Sequence, residues 1–120
     1  MTINQNNIIN NAKKVLKIEA DEIYNTYNNI DDNFALAVKL IKECKGRIVV
    51  SGMGKSGHIA RKISSTMSST GTPAFFMHPG EASHGDLGMI MKEDVIIFFS
   101  NSKIFLISSI FFGKSIFTFS

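Results

Sequence analysis

One cysteine, Cys44, leaves no partner for an intramolecular disulfide, so the chain is not a disulfide-stapled scaffold. The sequence sets no convincing cluster of metal ligands around it, and a structural thiol on the buried face of a helix is expected. Excess charge of one sign is scarce as well. The net charge is +3, and up to Ser102 there are 11 basic residues against 10 acidic ones, which implies no nucleic-acid partner. The Asn-rich beginning lacks the apolar stretch of a signal peptide, so a cytoplasmic protein is expected. Long uninterrupted apolar runs are missing too. The final 18 residues are apolar but broken by Ser108, Ser109, Lys114 and Ser115, which argues against a membrane anchor. What remains, 44% apolar and 19% charged over 120 residues, fits one globular domain or a piece of one.

Periodicity supplies the elements. Ile8, Ala12, Val15, Leu16 and Ile23 recur at helical spacing between about Asn6 and Tyr27. A second helix follows N-cap candidates Asp31, Asp32 and Asn33, carries Ala37, Leu40, Ile41 and Cys44, and has Gly46 at its left-handed stop. Strands are expected at Arg47–Ser51, Ala74–Met77 and Asp94–Phe99, with a helix from about Gly57 to Thr70 and a long loop from His78 to Leu87. Alternating strands and helices predict a parallel α/β sheet preceded by two helices. In such sheets ligands bind beyond the carboxyl ends of the strands. Here those ends bring Ser51-Gly52, His78 and Ser100-Asn101-Ser102 to one edge.

The tract Ser51-Gly52-Met53-Gly54-Lys55-Ser56-Gly57 joins the first strand to the following helix. Glycines allow close backbone approach, and a helix start offers N–H groups at a positive dipole end. Lys55 and Ser56 add a cation and a hydroxyl. A dinucleotide site would want an acidic residue after the next strand, where the chain has His78. A Walker A loop would want glycine at Val49. A sugar-phosphate or similar small-anion cradle remains, beside the alternative of a tight turn whose glycines serve geometry alone.

Further residues complete a pattern: Gly71-Thr72-Pro73, then His78-Pro79-Gly80-Glu81-Ala82-Ser83-His84-Gly85-Asp86-Leu87-Gly88, then Ser100-Asn101-Ser102. With Ser51–Gly57, this resembles the sugar isomerase (SIS) domain, and within it the arabinose-5-phosphate isomerases, from about Leu16 to Ser102. The resemblance implies the N-terminal part of a three-layer α/β sandwich. It also implies interconversion of arabinose 5-phosphate and ribulose 5-phosphate, which feeds synthesis of the Kdo sugar of lipopolysaccharide. It marks Lys55 as catalytic and Gly54, Ser56, Gly71, Thr72, His84, Ser100 and Ser102 as substrate-binding. It associates His78 with a divalent metal, zinc, although the reaction requires no cofactor. Intact members are implied to be homo-oligomers, tetramers, whose sites draw on neighbouring subunits.

The chain departs from that pattern after Ser102. Where family members continue with Gly-Glu-Thr, a further strand-rich half and often CBS repeats, residues 103–120 hold five of the ten Phe residues and no acid. Residues 1–102 are therefore expected to be the N-terminal part of a SIS domain, and 103–120 an aberrant apolar tail arising from a lost reading frame. A sheet ending after three strands would leave an unpaired edge and a risk of aggregation. Lys103 and Ile104 stand where the family has its glutamate. Two alternatives stay open beside the isomerase: a non-catalytic module that binds sugar phosphate, and a decayed product.

Overall fold

The computed structural model describes residues 3–82, 85–100, 104–108 and 116–119. The chain divides into two units, residues 1–31 and 32–120. The first consists of helix α1, Gln5–Tyr27, whose N-cap Asn4 accepts from the N–H groups of Asn6 and Asn7. No residue of α1 is buried, and Ile8, Val15, Leu16 and Ile23 all stand exposed.

The second unit is built on a sheet. Helix α2 spans Asp32–Lys42, strand β1 Ile48–Gly52, helix α3 Gly54–Ser69 and strand β2 Ala74–Met77. Helix α4 covers Pro79–Ala82, a 3-10 turn Asp86–Met89, and strands β3, β4 and β5 cover Val95–Phe99, Ile104–Ser108 and Ile116–Phe119. The sheet order is β2-β1-β3-β4-β5. β1 lies between two parallel partners, Val50 opposite Phe76 on one side and Ile97 on the other. Every residue of β1 is buried, as a central strand covered on both faces requires. Ile48, Val50, Val95 and Ile97 form one apolar face with Ala37 of α2 and Ala60 of α3. Leu40, Ile41, Cys44, Met67 and Phe76 pack around that cluster.

The α/β architecture with a parallel three-strand core is as the sequence predicts, and four details differ. The sheet does not stop at β3. β4 and β5 extend it antiparallel, Ile97 pairing with Leu106 and Leu106 with Phe117, so the edge expected to be bare is paired. Composition marked residues 103–120 as foreign to the family pattern, yet Ile104–Ser108 and Ile116–Phe119 pair there as strands. Gly46 does not end α2 in a left-handed conformation, because α2 stops at Lys42 and Gly46 has no positive φ. It is glycine for space: a Cβ there would lie 2.7 Å from the Glu93 carbonyl oxygen, and its N–H donates to that same atom at 3.1 Å. Cys44 lies just beyond α2, half-buried, its thiol 3.3 Å from the Glu93 carbonyl oxygen. The stretch expected to be loop after His78 contains α4 and the 3-10 turn.

Candidate functional site

Helix α3 begins at Gly54 instead of Gly57, so Lys55 and Ser56 belong to its first turn. Its N-cap, Met53, is extended and supplies no side-chain hydrogen bond, and the first turn has no acidic residue. The exposed N–H groups and the dipole end therefore lack the usual internal compensation. Two glycines make the turn possible. Gly54 has φ +58°, and a Cβ on Gly57 would sit 2.7 Å from the Gly52 carbonyl oxygen. Geometry thus accounts for Gly57, where the strand end and the helix touch, while a Cβ at Gly54 would meet only open space.

A hollow lies on each side of this turn. Toward β3, Met53, Ser56, Phe98, Phe99 and Ser100 enclose about 210 Å³. Toward β2, Gly52, Gly54, Gly57, His58, Arg61, Phe76 and His78 line another of about 210 Å³. β1 sends its chain toward β2 while β3 lies on its other side, so the β3-side hollow sits where the strand order reverses. Open α/β sheets place ligands at that point. Ser51 does not face a ligand: its hydroxyl is buried and donates to the Met77 carbonyl at 2.6 Å, tying β1 to β2 at their carboxyl ends.

The structure thus gathers Gly54, Lys55, Ser56, His78 and Ser100 at one edge, with Lys55 exposed and lining neither hollow. Gly71 and Thr72 do not join them. They precede the amino end of β2, whereas His78 follows its carboxyl end. The backbone donors expected there close α3 instead: the Thr72 N–H donates to the Met67 carbonyl at 2.8 Å and the Gly71 N–H to Ser68 at 3.4 Å, with Gly71 at φ +98°. Those atoms form a helix stop. His84 and Ser102 lie outside the described residues.

Sequence reasoning passed over Arg61 and gave His58 no role. Both lie on α3 at i and i+3, the spacing that puts two side chains on one helix face, and that spacing was the available signal. The Arg61 guanidinium stacks on the Phe76 ring, 4.0 Å from its centroid. Arg47 was also missed. It donates to Asp94 Oδ2 at 3.2 Å and to the Met89 carbonyl at 2.7 Å, and lies over the Phe75 ring. Asp94 is buried and receives the Arg47 N–H at 2.7 Å and the Met91 N–H at 2.8 Å. Burial raises its pKa, but those hydrogen bonds and the Arg47 charge outweigh that and hold it below the ordinary 3.8. This pair anchors the amino end of β3 to that of β1, opposite the site edge.

A parallel three-strand core with an uncapped, acid-free helix start and seryl residues at its switch point is an α/β domain of the class whose ligands lie beyond the carboxyl ends of the strands. The chain belongs to the SIS domain family, whose model matches residues 40–103. It is 50% identical over 105 residues to arabinose 5-phosphate isomerase KdsD of Francisella tularensis, covering 85% of this chain and 32% of that protein. Against the Escherichia coli K12 protein of that name it is 56% identical over 91 residues, covering 76% and 28%. An E. coli CFT073 protein solved in complex with arabinose 5-phosphate superposes with a TM-score of 0.77 at 43% identity, covering 83% of this chain and 53% of that one. The chain therefore spans about a third of the length of the curated relatives it matches.

Proposed function

We propose that this chain carries the phosphate-binding part of an arabinose-5-phosphate isomerase, which exchanges arabinose 5-phosphate and ribulose 5-phosphate for Kdo and lipopolysaccharide synthesis. The observation that carries this reading is the β3-side hollow at the switch point, lined by Ser56 and Ser100, in a fold shared with a protein solved with arabinose 5-phosphate. The sugar's phosphate would accept from the first-turn N–H groups of α3 and the two hydroxyls. Aldose–ketose exchange then needs a base to take the proton beside the carbonyl, an acid to move a proton between two oxygens, and charge stabilisation of the enediolate. Lys55, exposed at the start of α3, is the cation for that last task. His84 and Ser102 complete the proposed substrate contacts. The family reading further suggests a cytoplasmic homo-oligomer, a tetramer in intact members. No helix among the described residues is long and apolar enough to cross a membrane.

Zinc at His78 does not fit the described residues. The Gly80 N–H donates to His78 Nδ1 at 3.0 Å, so that nitrogen carries a lone pair already in use. No group of three His, Cys, Asp or Glu side chains among the described residues could hold a metal. The proposed reaction accordingly has no step through a metal.

A second reading, binding without turnover, is favoured by one observation: strand β4 begins at Ile104, in the stretch where the family has its glutamate. The two readings separate in one assay. Purified chain is mixed with arabinose 5-phosphate, and ribulose 5-phosphate formation is followed alongside thermal stabilisation. The isomerase reading expects turnover that Lys55→Ala abolishes. Stabilisation without turnover assigns the module, and a folded chain showing neither defeats both.

A further inference from the structure

The segment that joins β2 to β3, residues 78–94, leaves the carboxyl edge of the sheet and ends at the amino edge, with β1 lying between the two strands it connects. Apolar packing does little to fix its return. Met89 and Met91 are 55% and 59% exposed, and Gly88, Lys92 and Glu93 are exposed as well. Ile90 is only half-buried.

The return is held instead by polar contacts that converge on Arg47 and Asp94. Arg47 Nη2 donates to the Met89 carbonyl at 2.7 Å and to Asp94 Oδ2 at 3.2 Å. That same carboxylate oxygen accepts the Met91 N–H at 2.8 Å, and the Asp94 N–H donates back to the Met91 carbonyl at 3.1 Å. One ion pair thus ties residues 89 and 91 together. The pair is itself firmly placed. Asp94 is buried and its Oδ1 accepts the Arg47 N–H, while the guanidinium lies 4.7 Å from the centre of the Phe75 ring on β2. Arg47 therefore references the crossover to all three parallel strands.

The same crossover carries His84, which lies outside the described residues and is one of the substrate contacts proposed above. From Gly85, its neighbour in sequence, the chain enters the 3-10 turn Asp86–Met89, closed by the Gly88 N–H on the Gly85 carbonyl at 3.0 Å. A 3-10 turn is a short, tight spacer, so a shift of Met89 is passed on to Gly85. We propose that Arg47, paired with Asp94, is a positioning residue that holds the His84-bearing crossover in place from the edge opposite the site, a role that rests on the function proposed above. Arg47 lines neither hollow, so its effect on a ligand must travel through the crossover.

The test compares Arg47→Met and Arg47→Lys with the wild-type chain. Methionine keeps an apolar stem against Phe75 and removes the donors, whereas lysine keeps a charge and donors on a single nitrogen. By NMR-detected amide exchange, the Gly88 and Met91 amides should exchange about tenfold faster in Arg47→Met, with β1 unchanged and Arg47→Lys between the two. Calorimetric titration should show arabinose 5-phosphate bound about tenfold more weakly by Arg47→Met, the worth of one charge-assisted contact. The same substitution should cost nothing further in a His84→Ala background, since both act through one contact. Should Arg47→Met not fold, Arg47→Lys is carried through the same cycle. Equal acceleration of β1 and crossover amides would make Arg47 a global stabiliser and overturn the proposal. Crossover amides unmoved by the substitution, or equal affinity losses with and without His84, would overturn it too. Absence of binding by the wild type would defeat the function proposed above, and the exchange comparison would still decide whether Arg47 holds the crossover.

Discussion

Asp94 shows how much one carboxylate can hold when its acceptors are fully used. It faces two backbone N–H groups and one guanidinium, and its loss would strand the Arg47 and Met91 donors in a buried corner. Leaving such donors unpaired costs about 1–3 kcal/mol each, so Asp94→Ala should lower stability by about 2–4 kcal/mol at neutral pH in urea unfolding. The sign of the pH dependence follows from the direction of the pKa shift. A carboxyl whose folded value lies below 3.8 contributes its full stability above 3.8 and loses it as pH falls through the folded value. The gap between wild type and Asp94→Ala should therefore narrow in the acid range below pH 3.8. A gap constant down to the acid transition would contradict the assignment. None of this was legible in the sequence, where Asp94 looks like the polar start of an apolar strand. Its partners Arg47 and Met91 come from different parts of the chain, and only the parallel pairing of β1 with β3 brings Arg47 and Asp94 together.

The β1–α3 turn is the element that builds the candidate site, and its glycines separate two kinds of requirement. Gly57 is needed for close approach, since a Cβ would lie 2.7 Å from backbone oxygen that cannot move aside. Gly57→Ala should cost about 1–3 kcal/mol and also weaken sugar-phosphate binding, because it parts the helix start from the strand. Gly71 is needed for its φ of +98° at the other end of the same helix. Gly71→Ala should cost about 1–2 kcal/mol and leave ligand affinity unchanged. Thermal unfolding with and without arabinose 5-phosphate compares the two, and an affinity loss in Gly71→Ala would support the substrate contact the family resemblance implies for that residue. The central strands were readable because short uninterrupted apolar runs suit buried parallel strands. The start of α3 was misplaced by three residues because glycine, a poor helix former, occupies positions 54 and 57. The stop at Gly71 was legible, because glycine suits the left-handed position that closes a helix, whereas the cluster of Arg61, His58 and His78 was hidden, since it depends on which atoms a fold aligns and not on which residue types it contains.

At the scale of the molecule, the described sheet joins a parallel core within the residues the SIS family model matches to two antiparallel strands, β4 and β5, that lie beyond them. β1, buried at every position, should hold the most slowly exchanging amides, while α1, with no buried residue, should exchange early if nothing covers it. Protection of α1 equal to that of β1 would show that its apolar residues are covered in solution, as self-association would do. Function depends most on one claim, that the switch-point hollow holds the phosphate of arabinose 5-phosphate. Calorimetric titration of the folded chain with that sugar tests it most directly, with Ser56→Ala and Ser100→Ala measured beside it. Saturable binding is expected, and each substitution should weaken it about tenfold, the worth of a charge-assisted hydrogen bond. Absence of binding by the folded chain, or equal affinity in the double variant, would contradict it.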